Sequence, residues 1–128
     1  MGALAAALAL LTITVQGQDK FKKRDLKDRV EVAGKIVCIG CTLEQREGGA
    51  DAQCTLHAKH AQGLLLEDGT LWTFVDNARG HHAITNRKLL GRDVKVLGWK
   101  FPKAKYVELW KYQVKEGDAW VAYDFCKT

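Results

Sequence analysis

The spacing of apolar residues predicts a bent strand near the start of the charged part of the chain. After Val30, the apolar residues Val32, Ile36 and Cys38 recur with the two-residue period of a strand that buries one face. Gly34 lies in the middle of this segment, where the missing side chain permits a bend or a bulge. We therefore expect the ordered domain to begin with a bent strand at about Val30.

Two apolar runs around Asp68-Gly69, in the sequence GLLLEDGTLWTFVD, predict a β-hairpin. An Asp-Gly pair accepts the positive φ angles of a tight two-residue turn. This register pairs Leu65 with Trp72 across the hairpin. It assigns four alternate residues to the core, namely Leu64, Leu66, Leu71 and Val75.

The remaining pattern predicts one short helix and three further strands. Thr85 or Asn86 can cap the helix, which ends at Gly91 after two leucines. The next two strands are separated by a turn at residues 102–105, where the only proline of the chain stands. The predicted strands cover residues 94–101, 106–114 and 120–125.

The order of these elements predicts a mainly β fold. A strand, an insertion, a hairpin, a short helix and a second hairpin follow one another as in the five-stranded OB barrel, whose helix lies between strands three and four. The insertion after the first strand is expected to be irregular over residues 42–53 and is compatible with a helix over 54–62. Other small barrels and α+β rolls share this order, and they stay open as alternatives.

The first 17 residues carry no charged side chain, and residues 1–15 form an apolar run. A transmembrane helix needs about 20 apolar residues, so this run suits the core of a cleavable signal peptide. No Lys or Arg precedes the run, and an uncleaved membrane anchor is the alternative. The predicted organisation is a signal peptide over 1–17, a charged lead-in over 18–29 and an OB-like domain over 30–128. The mature chain is then exported, to a periplasm or the exterior, without a stable transmembrane span.

All 20 Lys and Arg residues follow the predicted signal peptide, and the net charge is +5. A basic excess attracts anionic surfaces, although interspersed charges also simply keep a protein soluble. An exported destination argues against nucleic acid as the partner.

Three cysteines and two histidines fall close together in the pattern Cys-x2-Cys-x12-Cys-x2-His-x2-His. Thiolates and imidazoles are the ligands that zinc and copper prefer, and zinc usually takes four of them. The sequence therefore predicts a structural zinc site. Its proposed ligands are Cys38, Cys41, Cys54 and His57, with His60 as a substitute or fifth ligand. Copper is the second choice, followed by haem held non-covalently by a histidine.

Disulfides are the main alternative to the metal. The chain has four cysteines, an even number that includes Cys126, and export exposes them to oxidation. A thioredoxin-like redox pair requires the first cysteine at a helix N-terminus. Cys38 and Cys41 are expected to precede an irregular loop, which disfavours that chemistry.

A binding face is the other candidate site. Aromatic rings on the third and fifth strands, next to lysines of the turn at 102–105, suit stacking against an anionic polymer. The alternative is that the rings belong to the core and the lysines protect a hairpin edge. The candidate residues are Trp72, Phe74, Lys103, Lys105, Tyr106 and Trp110.

The segments GKIVCIGCTLE, ADAQC, GLLLEDGTLWTF and GRDVKVLGWKFPKAKYVEL resemble a group of small exported bacterial proteins with an OB-like core. The resemblance covers about Val30 to Val114, and Cys126 lies outside it. It implies the fold, the export and a shared Cys/His cluster, but no activity.

The sequence thus favours an exported, non-catalytic accessory or binding protein that carries a transition-metal site. A larger envelope protein complex is its candidate partner. The rival hypothesis is a disulfide-stabilised OB-like module that binds an anionic polymer or a partner protein through its aromatic and lysine residues.

Overall fold

A computed structural model describes residues 24–50 and 61–125, which form a mainly β structure. The predicted signal peptide and residues 18–23 of the lead-in lie outside the described residues. The strands are β1 (Val30–Cys38), β2 (Gln62–Leu66), β3 (Leu71–Phe74), β4 (Asp93–Phe101), β5 (Tyr106–Glu116) and β6 (Ala119–Ala122). The helices are α1 (Ile39–Glu47) and α2 (Ala78–Thr85), and single 3-10 turns cover Leu26–Asp28 and Arg87–Leu89.

The strands form one sheet in the order β3-β2-β1-β4-β5-β6. β3 also pairs with β5 in parallel, which closes the first five strands into a ring. β1 pairs with β4 over residues 30–35 and with β2 over residues 34–38, so it passes from one neighbour to the other at Gly34 and Lys35. The predicted strand from Val30 is confirmed.

Apolar side chains fill the inside of the ring. Ile36, Leu64, Val107 and Leu109 are each at most 2% exposed. Burying such a side chain contributes about 1.5–3 kcal/mol, so this interior dominates the stability of the domain. The other strand residues of the core are Val32, Trp72, Phe74, Val94, Val96 and Tyr112.

The hairpin between β2 and β3 differs from the predicted one by one residue. Leu65 pairs with Leu71, and the Gly69 N–H donates to the Leu66 carbonyl at 3.0 Å, with Gly69 at φ 86°. This is a three-residue loop with a left-handed glycine instead of a two-residue turn. A shift of one residue moves alternate side chains to the other face of a strand. The core therefore takes Trp72 and Phe74, and the prediction of Leu71 and Val75 there was wrong.

The prediction of a single helix was also wrong, because the described residues contain two. The insertion begins with α1, which ends at Gly48, where the Gly48 N–H donates to the Glu44 carbonyl at 3.1 Å. α2 begins earlier than expected, since Asn77 caps it by accepting from the Gly80 N–H. The predicted cap residue Asn86 begins only a 3-10 turn. Neither described helix has the length and apolar composition needed to cross a lipid bilayer.

Candidate functional site

The first two predicted metal ligands lie at the junction of β1 and α1. Cys38 is the last residue of β1 and the N-cap of α1, and it is buried. Cys41 is half-buried in the first turn of α1. The expectation of an irregular loop after the cysteines was therefore wrong, because the helix starts at Ile39. A helix N-terminus stabilises a nearby thiolate, which is the form that binds metals.

The chain returns to this junction immediately after the insertion. The Ile39 N–H donates to the Ala61 carbonyl at 3.0 Å, and Cys38 is the cross-strand neighbour of Gln62. The remaining predicted ligands lie outside the described residues, as does Cys126; they are Cys54, His57 and His60. Within residues 24–50 and 61–125, no three His, Cys, Asp or Glu side chains form a metal-binding group.

The turn between β2 and β3 lies beside the turn between β4 and β5. The cause is the parallel pairing of β3 with β5, in which the Thr73 N–H donates to the Lys105 carbonyl at 2.9 Å. The hydroxyl and backbone N–H of Thr70 lower the pKa of Asp68, and the charges of Lys105 and Lys100 lower it further. Lysines of the second turn and of β4 thus lie near the carboxylate of the first.

These contacts gather cations on one surface, which we call the turn surface. It consists of Arg46, Lys100, Lys103, Lys105 and Tyr106. The Arg46 guanidinium donates to the Gly69 carbonyl, which brings α1 to the first turn. Lys103 and Lys105 are exposed, and Tyr106 is 42% exposed. A flat aromatic ring and four cations are therefore accessible together.

The other predicted binding residues are placed differently. Phe74 is 2% exposed inside the ring. Trp72 is 7% exposed, and the Lys100 Nζ lies 4.8 Å from the centre of its ring. Trp110 is the extra residue of a bulge in β5, and the Arg79 guanidinium lies 4.1 Å from the centre of its ring. Of the six candidates, the structure brings Lys103, Lys105 and Tyr106 together on an open surface.

Sequence reasoning missed one contributor to this surface, Arg46, and one half-buried aromatic contact. Arg46 lies in the segment that was expected to be irregular, so no pattern pointed to it. Lys100 was expected beside the turn at 102–105, next to Lys103 and Lys105, and it lies at the end of β4 before that turn. Lys95 of β4 places its Nζ 4.3 Å from the ring centre of Trp120, whose position in the apolar run 120–125 was the available signal.

The tandem histidines have separate surroundings. His81 Nδ1 lies 2.8 Å from an Asp76 carboxylate oxygen at the exposed start of α2. His82 points to the ring of strands, where its Nε2 lies 2.8 Å from the Tyr112 hydroxyl. Burial lowers the pKa of His82.

Comparisons with known proteins do not assign this site. No family model matches the sequence, and neither the curated proteins nor the solved structures yield a similar protein. The resemblance to exported OB-like proteins therefore stays a prediction.

Proposed function

We propose that the protein is an exported OB-like binding module. Three features support the OB-like assignment: β1 pairs antiparallel with β4, β3 pairs in parallel with β5, and α2 lies between β3 and β4. β6 extends β5 beyond the five strands. Expression in a host with a secretory pathway tests the export, since the released protein should begin after residue 17. A mature N-terminus at Met1 would contradict it.

The ligand we propose is an anionic polymer bound at the turn surface. One observation carries this proposal: the Thr73 N–H donates to the Lys105 carbonyl at 2.9 Å, so the parallel pairing of β3 with β5 sets the turn of Lys103 and Lys105 beside the turn between β2 and β3. OB barrels use the loop between their last two strands for ligands, and Lys103 and Lys105 belong to that loop. Tyr106 adds a ring against which a planar ligand group can stack.

Retention on immobilised heparin tests this proposal. The double variant Lys103→Gln/Lys105→Gln should elute at a clearly lower salt concentration than the unmodified protein, because polyanion binding releases counterions for each neutralised charge. Lys88→Gln/Lys111→Gln is the matched control, since both lysines are exposed and lie outside the turn surface. Equal elution of the two double variants would contradict the turn surface as the binding site.

A Cys/His metal centre is the second candidate function. The hydrogen bond from Ile39 to Ala61 favours it, because it fixes the end of the insertion beside Cys38 and Cys41. In this hypothesis Cys38, Cys41, Cys54 and His57 or His60 hold zinc in a structural role, and copper or non-covalent haem are the other choices.

Metal analysis combined with a thiol count separates this centre from disulfides. Protein purified without added metal should carry one ion, which Cys38→Ser and Cys41→Ser should lose. Cys126→Ser is the control and should retain the ion. Protein without an ion and with all its cysteines oxidised would show that disulfides stabilise the domain instead.

A further inference from the structure

A groove crosses the outer surface where β1 passes from β4 to β2. It has a volume of about 520 Å³, and the small residues Ala33 and Gly34 are among those that line it. A second groove of about 490 Å³ shares Ala33, Leu66 and Glu67 with it and reaches Asp68 and Lys100. Lys100 belongs to the turn surface, so the two grooves continue that surface along the seam between β1 and β2. We call them together the seam groove.

The far end of the seam groove carries one aromatic ring, two lysines and one carboxylate, that of Asp93. Trp120 of β6 lines it together with its cross-strand neighbour Lys115. Lys35 of β1 lines the same groove. An indole beside two ammonium groups suits a ring that carries an anionic substituent.

The middle of the seam groove is acidic. Glu67 lines both grooves where they join, and Glu31 and Asp68 line the second groove between Glu67 and Lys100. Carboxylates accept hydrogen bonds from hydroxyl groups, whereas they repel phosphates. Every nucleotide of a nucleic acid carries a phosphate, about one for each 3.4 Å along each strand of a DNA duplex, so a nucleic acid would place phosphates against these carboxylates.

We propose that the seam groove binds an acidic polysaccharide of low charge density, in which anionic sugars alternate with neutral ones. This inference rests on the proposed polymer-binding function and specifies its ligand class. The anionic groups meet the lysines at the two ends, sugar hydroxyls donate to Glu67 and Asp68, and a sugar ring packs on Trp120. Neutral sugars between the anionic ones face the carboxylates of the groove, so no negative charge of the ligand is repelled there.

Titration calorimetry with hyaluronan oligosaccharides tests the inference, because this polymer alternates a uronic acid with a neutral amino sugar. We expect Trp120→Ala to weaken hyaluronan binding about tenfold, the scale of one lost stacking contact. Val121→Ala is the matched control, since Val121 neighbours Trp120 and is 44% exposed. Lys115→Gln should also weaken binding, and Lys111→Gln on the same strand should not. If Trp120→Ala disturbs folding, the comparison of Lys115→Gln with Lys111→Gln still decides the test, because both lysines are exposed.

Two outcomes separate this inference from the function on which it rests. Retention on heparin that depends on Lys103 and Lys105, together with hyaluronan binding that is unchanged in Trp120→Ala and Lys115→Gln, would overturn the seam groove alone. If a thymidine oligonucleotide with the same number of charges binds more tightly than hyaluronan, the preference for a polymer of low charge density is overturned. Absence of binding to every polymer would overturn both proposals.

Discussion

The Nε2 atom of His82 lies 2.8 Å from the hydroxyl oxygen of Tyr112, which links α2 to β5. The rings of His82 and Tyr123 stack with their centres 4.5 Å apart, and the Phe125 ring meets His82 edge-on at 5.5 Å. The segment after β6 thus packs on α2. Aromatic pairs of this kind add about 0.5–1.5 kcal/mol each beyond their buried area.

This contact predicts a loss of stability in mild acid. Burial lowers the pKa of His82 below its ordinary value of 6.5, so the unfolded chain binds a proton at a higher pH than the folded one. The stability that His82 contributes is therefore complete above 6.5 and is lost as the pH falls through the lowered pKa. Urea unfolding from pH 8 to pH 5 measures this slope, which His82→Phe should reduce. An unchanged slope in that variant, with the exposed His81→Phe as the control, would contradict the assignment.

The inward face of β3 gives a second prediction. Phe74 is 2% exposed within the core, so Phe74→Ala should reduce the free energy of unfolding by about 3–5 kcal/mol. Val75 is half-buried and lies outside the core cluster, so Val75→Ala should cost about 1 kcal/mol. Chemical denaturation of the two variants measures both values. A greater loss in Val75→Ala would support the two-residue hairpin turn after all.

The bulge opposite Gly98 gives a third prediction. A Cβ atom on Gly98 would lie 1.9 Å from the Glu108 carbonyl oxygen, which is a backbone atom that cannot rotate away. Forcing extra atoms into a packed site costs about 1–3 kcal/mol, so Gly98→Ala should unfold at a clearly lower temperature. A thermal scan measures the shift. A midpoint within error of the unmodified protein would show that β4 and β5 can separate at the bulge.

The strands could be predicted from sequence where one buried face produces an alternation of apolar and polar residues. Val94 and Val96 flank Lys95 on β4, and Val107 and Leu109 flank Glu108 on β5. The hairpin register could not be predicted in this way. It depends on the Asp68 carboxylate, which accepts hydrogen bonds from the N–H and the hydroxyl of Thr70 two residues later. Local hydrogen bonds of this kind compete with the turn that the residue types favour.

The helix α1 escaped prediction for a related reason. Its only buried residue is Thr42, so it has no apolar stripe of helical period. The available signal was local: helix-forming residues at 43–47 precede Gly48, which ends the helix at φ 71°. The same helix carries Cys41, whose surroundings were therefore predicted incorrectly.

The candidate site could be predicted only as far as neighbours in sequence define it. Lys103, Lys105 and Tyr106 share one turn and its edge, and the sequence grouped them. Arg46 joins them through a contact across 23 positions, which no local pattern reveals. Trp110 was grouped with them as an aromatic ring of the fifth strand, and nothing in the sequence indicated that it stands in a bulge of β5. The Cys/His cluster stays a prediction, since Cys54, His57 and His60 lie outside the described residues.

The salt dependence of binding tests the central claim most directly. The dissociation constant of a heparin oligosaccharide is measured at several salt concentrations for the unmodified protein and for Lys103→Gln/Lys105→Gln. If both lysines contact the polymer, the slope of log affinity against log salt should become shallower by about 1.4, at about 0.7 for each lost contact with a single-stranded polyanion. An unchanged slope would contradict polymer binding at the turn surface.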